Sequence, residues 1–135
     1  MKGIRKMDEN QIIAATIQIL KLDGYSICSS CSTTQRGVDI IAEKSDTTVL
    51  VEAKGGTSSR SKSSRFGKPY TQSQVFDRVA KGVFTCLQLR SKHRNIKDRV
   101  ILSVPKSEWY LRYLDEVLRR DLFTAGVEVL FIDLD

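Results

Sequence analysis

The chain has 135 residues, of which 41% are hydrophobic and 28% charged, a composition typical of a folded domain and not of a disordered segment or a fibre. No apolar run reaches the roughly 18 residues that a membrane-spanning helix needs. The N-terminal residues show no stretch typical of a signal peptide, and the odd number of cysteines argues against a disulfide framework. We therefore expect a single domain over residues 1–135, located in the cytoplasm and without a membrane partner.

The formal net charge of +6 is concentrated in the middle of the chain. Residues 54–106 contain 13 lysines and arginines against 2 acidic residues, whereas the corresponding numbers are 6 and 7 for residues 1–53, and 3 and 7 for residues 107–135. Such a block is typical of a phosphate-binding surface, so nucleic acid is the expected partner. A basic face that only keeps the protein soluble is the alternative, and charge alone does not separate a nuclease from a passive binder.

The first predicted element is a helix from about residue 8 to residue 23. Its apolar residues recur at helical spacing, Asp8 is suited to the N-terminal end, and Gly24 is a natural stop. Glu9 lies on the buried face, so a carboxylate stands at the N-terminal edge of the apolar stripe. Three segments rich in β-branched and aromatic residues then predict strands at 25–32, 38–43 and 48–54.

The second and third strands are predicted to form a hairpin. If Ser45 and Asp46 are the central residues of its turn, Lys44 lies opposite Thr47. Counting outward in this register places Asp39 opposite Glu52, with both side chains on one face of the sheet and about 5 Å apart. A change of one residue in the turn would break this relationship.

The segment 55–70 predicts a basic Gly/Ser-rich loop without any acidic residue. A helix over 72–90 follows, in which Thr71 and Gln74 have the spacing of a capping box. The remaining predicted elements are a buried strand at 100–104, a helix at 107–123 and a strand at 127–132. The order α-β-β-β-α-β-α-β favours a mixed sheet covered by helices. The basic residues of the predicted 55–70 loop are Arg60, Lys62, Arg65 and Lys68.

Three charged residues occupy strand positions that usually carry apolar side chains. Glu52 and Lys54 are two residues apart in the third strand and therefore share a face, which the hairpin register assigns to Asp39 as well. Two converging carboxylates repel each other unless a cation lies between them, and oxygen ligands without nearby histidine or cysteine suit Mg²⁺ or Mn²⁺. The alternative is an ordinary salt bridge between strands.

Here the sequence resembles a known family. The segments R-G-V-D-I-I-A and V-L-V-E-A-K-G, which contain Asp39, Glu52 and Lys54, resemble the signature of the PD-(D/E)XK phosphodiesterases, the restriction-endonuclease-like superfamily. The most similar members are small Mrr-like restriction-type nucleases and archaeal-type Holliday-junction resolvases. The resemblance implies an α/β fold with an αβββαβ core and a mixed central sheet flanked by helices. Residues 105–135 would add a C-terminal helix and strand.

The resemblance also implies the roles of individual residues. Asp39, Glu52 and the backbone carbonyl of Ala53 would bind Mg²⁺, with Mn²⁺ as a substitute, and Lys54 would position or activate the attacking water. Glu9 would stand near the metal, although a solvated acid at a helix start is equally in keeping with the helix dipole. In some relatives a glutamine early in the next helix takes part. The matching positions here are Gln72 and Gln74, of which Gln74 also fits the capping box.

The preferred interpretation is a metal-dependent endonuclease that hydrolyses phosphodiester bonds, with DNA as the expected substrate. The basic residues of the 55–70 loop would bind its phosphates, and the resemblance implies a homodimer. Two alternatives remain open: a catalytically inactive nucleic-acid-binding module that keeps the fold, and an assembly subunit whose strand 127–132 pairs with a partner. The sequence does not choose between duplex, branched, modified and single-stranded substrates.

Overall fold

A computed structural model describes residues 7–30, 37–57 and 68–133. Within these residues the chain forms an α/β fold in which helices cover both faces of one sheet, as the sequence predicts. The elements in chain order are α1 (Glu9–Leu22), β1 (Ser26–Ser30), β2 (Ile40–Lys44), β3 (Thr47–Ala53), α2 (Gln72–Lys92), β4 (Arg99–Pro105), α3 (Glu108–Tyr113), α4 (Glu116–Thr124) and β5 (Val127–Ile132).

The strands described form a mixed sheet in the order β1-β2-β3-β4-β5. The pairs β1/β2 and β2/β3 are antiparallel, whereas β3/β4 and β4/β5 are parallel. The predicted hairpin register is confirmed, since Lys44 pairs with Thr47 and Ile40 pairs with Val51. One further step in this register sets Asp39, the residue before β2, opposite Glu52. The elements from α1 to β4 thus have the order of the restriction-endonuclease-like αβββαβ core.

The C-terminal part contains two helices where the sequence predicted one over 107–123, so that prediction was wrong. Leu114 has φ −102° and ψ 63°, which ends α3. The side chain of Asp115 then accepts a hydrogen bond of 2.9 Å from the backbone N–H of Leu118 and caps α4. A short acidic side chain that caps the following turn offers the backbone an alternative to a continuous helix, which apolar periodicity does not reveal.

The two faces of the sheet carry separate apolar clusters. Val49, Val51 and Ala53 of β3 pack in the cluster that contains α1 residues, while Leu50 packs in the cluster that contains α2 residues. Because side chains alternate along a strand, Glu52 shares the α2 face of the sheet with Leu50. In the part of the chain that the structure describes, no helix has the length and apolar character needed to cross a membrane.

Candidate active site

The carboxyl groups of Asp39 and Glu52 meet at the end of the β2–β3 hairpin that lies away from its turn. Asp39 is 8% exposed and Glu52 is 9% exposed. Oδ2 of Asp39 accepts a hydrogen bond of 2.8 Å from the backbone N–H of Ala53, and the two carboxyl groups are close enough for each to affect the pKa of the other. The register therefore brings two acidic groups together in a largely buried site.

Lys54 completes this group from the same side of the sheet. Its Nζ lies 3.2 Å from Oε2 of Glu52, and the side chains of the two residues are 16% and 11% exposed. Gly82 of α2 faces the aliphatic stem, because a Cβ atom placed on it would lie 3.4 Å from Cγ of Lys54. The ammonium group is thus held beside the carboxylates by an ion pair and by the close packing of α2.

Burial raises the pKa of both carboxyl groups. For Glu52 burial is the main cause and the charge of Asp39 adds to it, while Lys54 opposes the shift, and the pKa rises to about 7. Burial also raises the pKa of Asp39, although the hydrogen bond from Ala53 favours its ionised form. In the metal-free protein, a proton shared by the two carboxyl groups therefore resides mainly on Glu52. A cation bound between the two groups would relieve their repulsion.

The donor set fits a magnesium ion. The N–H and C=O groups of one strand residue point to the same side, so the carbonyl of Ala53 points toward Asp39, as its N–H does. Mg²⁺ is commonly bound through one or two carboxylates, with waters and substrate phosphates as the other ligands. Among the described residues, no cluster of three or more His, Cys, Asp or Glu side chains could hold a metal ion. Mg²⁺ does not require such a cluster, since water and phosphate oxygens complete its ligands.

Glu9 lies in the first turn of α1, a helix that packs on the other face of the sheet. The first turn of α1 comes close to the end of β3 because the residue after Lys54 is Gly55, which has no side chain. A Cβ atom on Gly55 would overlap the backbone nitrogen of Glu9 and lie 2.8 Å from the carbonyl carbon of Asp8. Burial and the charge of Asp39 raise the pKa of Glu9, while Lys54 and Arg78 oppose this shift. The predicted helix-start acid is therefore electrostatically part of this group.

The basic loop begins and returns at the edge of the same site. The backbone N–H of Gly56 donates to the carbonyl of Met7 at 2.6 Å, and the N–H of Tyr70 donates to the carbonyl of Gly56 at 2.7 Å. Thr57 and Pro69 form a bridge that closes the loop at its base. Lys68 is exposed beside this bridge. The predicted phosphate-binding residues Arg60, Lys62 and Arg65 lie outside the described residues.

The two glutamines considered from the sequence differ in their surroundings. The side chain of Gln74 accepts a hydrogen bond of 2.8 Å from the N–H of Thr71, and Thr71 Oγ1 accepts one of 3.3 Å from the N–H of Gln74, which makes the predicted capping box. Gln72 is exposed at the first position of α2. It lines a surface cleft of about 400 Å³ that Phe76 and Tyr113 also border.

Comparison with solved structures shows two proteins with the same fold. One is an XisH family protein from Nostoc punctiforme, with a TM-score of 0.53, 18% identity and coverage of 93% of this chain and 91% of that chain. The other is an fdxN element excision controlling factor protein from Anabaena variabilis, with a TM-score of 0.54, 19% identity and coverage of 93% and 90%. The shared feature is the fold. No model of a known family matches the sequence, and no curated protein matches it.

Sequence reasoning missed an arginine at the site. Arg78 of α2 is half-buried; its Nη2 donates to Tyr70 Oη at 3.4 Å, and its guanidinium carbon lies 4.9 Å from the centre of the Tyr70 ring. The buried hydroxyl of Tyr110 donates to the carbonyl of Gly55 at 2.6 Å and holds the same corner. A signal was present in the sequence, because Arg78 and Gly82 are four residues apart and so share one side of a helix.

Proposed function

We propose that the chain is a member of the PD-(D/E)XK nucleases and hydrolyses phosphodiester bonds in a Mg²⁺-dependent reaction. The main support is the grouping of Asp39, Glu52 and Lys54 at the end of the β2–β3 hairpin, where both carboxyl groups are buried and Lys54 pairs with Glu52. A salt bridge that served only the stability of a sheet would need one carboxylate. The second carboxylate costs free energy in a metal-free site, because burial and repulsion raise the pKa of Glu52 to about 7.

Each residue has a distinct role in this proposal. A magnesium ion, or manganese in its place, would supply positive charge to the phosphate and lower the pKa of a bound water. Asp39, Glu52 and the carbonyl of Ala53 would hold that ion, and the hydrogen bond from Ala53 favours the ionised form of Asp39. Lys54 donates from its ammonium group to the attacking water and offsets the negative charge that develops on the phosphate oxygens. Glu9 adds an acceptor for further water molecules at the same site.

We propose that the substrate is DNA and that the chain cleaves it as an endonuclease. The basic block in residues 54–106 supplies the electrostatic attraction, and the two ends of the predicted basic loop are joined by the hydrogen bond from Tyr70 to Gly56, two residues after Lys54. One structural neighbour is named as a factor controlling the excision of an element, which favours DNA over RNA. We also propose a homodimer, since cutting two strands is readily done by two subunits, and light scattering would measure the mass in solution.

Nicking of supercoiled plasmid DNA tests the proposal. The wild-type chain should nick the plasmid in Mg²⁺ and not in EDTA, and Asp39→Ala should reduce the rate by at least about 100-fold. Asp46→Ala is the matched control, because Asp46 lies in the hairpin turn and pairs with Lys97 on the surface. Equal rates for wild type and Asp39→Ala would overturn the assignment of the site. A panel of labelled duplex, branched and single-stranded DNA then identifies the preferred substrate.

A DNA-binding module without catalytic activity is the second candidate, because the basic block would serve that function equally well. Calorimetric titration with Mg²⁺ and Mn²⁺ separates the two candidates. A nuclease site should bind a divalent ion in the wild-type chain and lose this binding in Asp39→Asn. A module that only binds DNA should show no metal site that depends on Asp39.

A further inference from the structure

Arg78 stands at the candidate active site, where its charge acts on Glu9 without a direct ion pair in the part of the chain that the structure describes. The ion pairs among the described residues do not include it. A guanidinium group has five N–H donors, and the hydrogen bond that Arg78 makes within the described part of the chain is the one to Tyr70, at 3.4 Å. A half-buried cation with unused donors is suited to an anionic ligand.

The position of Arg78 is fixed relative to Lys54 by contacts along two routes. Along α2, Gly82 lies one turn away from Arg78 and packs against the stem of Lys54. Along the loop base, the ring of Tyr70 stacks on Arg78, and the N–H of Tyr70 donates to the carbonyl of Gly56, two residues after Lys54. Both routes place the guanidinium group beside the end of β3, on the side from which the basic loop returns.

The way in which Tyr70 holds Arg78 leaves the guanidinium group able to bind a phosphate. The guanidinium carbon lies 4.9 Å from the centre of the Tyr70 ring, and the hydrogen bond from Nη2 to the Tyr70 hydroxyl uses one of the five N–H donors. The paired in-plane donors of arginine match two oxygens of a phosphate, which an ammonium group does not do. The aromatic ring thus orients the group without using up most of its donors.

The formal charges at the site also favour a second basic residue beside Lys54. Glu9, Asp39 and Glu52 are acidic, while Lys54 and Arg78 are the basic residues that act electrostatically on Glu9. We count the three acidic residues, the two basic residues, one divalent cation and one singly charged phosphodiester. The formal charges of these groups sum to zero, and without Arg78 they sum to one negative charge. A substrate phosphate would therefore be accepted more readily beside Arg78.

We propose that Arg78 binds a phosphate of the substrate strand at the edge of the site, with Tyr70 orienting its guanidinium group. This inference rests on the proposed function in one respect, namely that the ligand is a nucleic acid. It adds a substrate-binding residue outside the Asp39, Glu52 and Lys54 group. The role is one of binding and orientation, because Lys54 and not Arg78 lies next to the carboxylates.

The test compares wild type, Arg78→Gln and Arg78→Lys, with Arg120→Gln as the matched control. Arg120 lies on α4 and pairs with Glu116 in a pair whose side chains are 70% and 78% exposed. Binding to a short fluorescent DNA duplex is measured in EDTA at several salt concentrations, so that no cleavage is needed. Each duplex phosphate contact contributes about 0.9 to the slope of log affinity against log salt.

Arg78→Gln should reduce the magnitude of the salt slope by about 0.9, while Arg78→Lys and Arg120→Gln should keep the wild-type slope. In Mg²⁺, Arg78→Gln should lower kcat/KM by about 100-fold, and Arg78→Lys should fall between it and wild type, because lysine keeps the charge and loses the paired donors. The melting temperature shows whether each variant is folded. Tyr70→Phe is a second variant, which removes the hydroxyl that accepts from Arg78 and keeps the aromatic ring.

The outcomes separate this inference from the proposed function. A wild-type salt slope in Arg78→Gln overturns the role of Arg78, even if the chain cleaves DNA. A reduced slope in a chain that never cleaves supports the phosphate contact and overturns the nuclease. If Arg78→Gln does not fold, Arg78→Lys decides the question. A wild-type salt slope with a lower kcat/KM in Arg78→Lys supports the inference, whereas a wild-type kcat/KM overturns the requirement for paired donors. No binding of DNA by wild type at low salt overturns both proposals.

Discussion

A Cβ atom on Gly55 would overlap the backbone nitrogen of Glu9. This contact joins the first turn of α1 to the end of β3, although the helix and Glu52 lie on opposite faces of the sheet. It explains how a carboxylate from α1 comes close enough to be affected by the charges of Asp39 and Lys54. The glycine after Lys54 is therefore part of the geometry of the site.

Gly55→Ala should displace the start of α1, because the new methyl group meets backbone atoms that cannot rotate away. We expect the free energy of unfolding to fall by about 1–3 kcal/mol, together with DNA cleavage. Chemical denaturation measures the first effect and a plasmid assay the second. Gly56→Ala is the control, since its nearest neighbour would be a side-chain carbon of Pro105 at 3.3 Å. Equal stability of the two variants would contradict the close contact.

The sequence predicted the pairing of Asp39 with Glu52 because a short turn and strict alternation determine a hairpin register. Ser45 adopts the positive φ of 54° that the turn requires, and the strands pair accordingly. Helical spacing puts Arg78 on the same side of α2 as Gly82, but its distance from the carboxylates was not predictable, because that depends on how α2 packs across the end of the sheet. Asp115 was missed because a helix cap depends on one local hydrogen bond and not on periodicity.

Stability of the metal-free protein should depend on pH through Glu52. Its pKa is raised from 4.5 in the reference state to about 7 in the fold, so the folded protein holds this proton more tightly than the unfolded chain does. The contribution of Glu52 to stability is therefore fully present below about pH 4.5 and is lost as the pH rises through about 7.

Denaturant titrations of wild type and Glu52→Gln across this pH range measure that contribution. Glutamine keeps the shape and does not ionise, so the stability of wild type relative to Glu52→Gln should decrease with rising pH. Ionisable groups remote from Glu52 affect both proteins equally and cancel, so the difference reports Glu52 together with its interaction with Asp39. A difference that stays constant between these pH values would show that Glu52 is not destabilised by burial in the fold.

Thr57→Val should stabilise the protein. Thr57 is 4% exposed, and its hydroxyl has no hydrogen-bond partner among the residues that the structure describes. An unsatisfied buried hydroxyl costs about 1–3 kcal/mol, and valine fills the same space without it. Thr16→Val is the contrasting variant, because the Thr16 hydroxyl donates to the carbonyl of Ile12 at 2.7 Å and lies 2.6 Å from that of Ser103.

Thermal unfolding of the two threonine variants gives the result directly. We expect a higher melting temperature for Thr57→Val and a lower one for Thr16→Val than for wild type. A loss of stability in Thr57→Val as large as that in Thr16→Val would mean that the Thr57 hydroxyl is satisfied in solution.

Single-turnover cleavage of labelled DNA by Lys54→Met in Mg²⁺ tests whether the group of Asp39, Glu52 and Lys54 hydrolyses DNA. Methionine keeps an unbranched stem against Gly82 and removes the ammonium group that lies 3.2 Å from Glu52. We predict a rate at least about 100-fold below wild type and a wild-type rate for Lys97→Met, whose lysine pairs with Asp46 on the surface. Cleavage by Lys54→Met at the wild-type rate, or no Mg²⁺-dependent cleavage by the wild-type chain, would contradict the account.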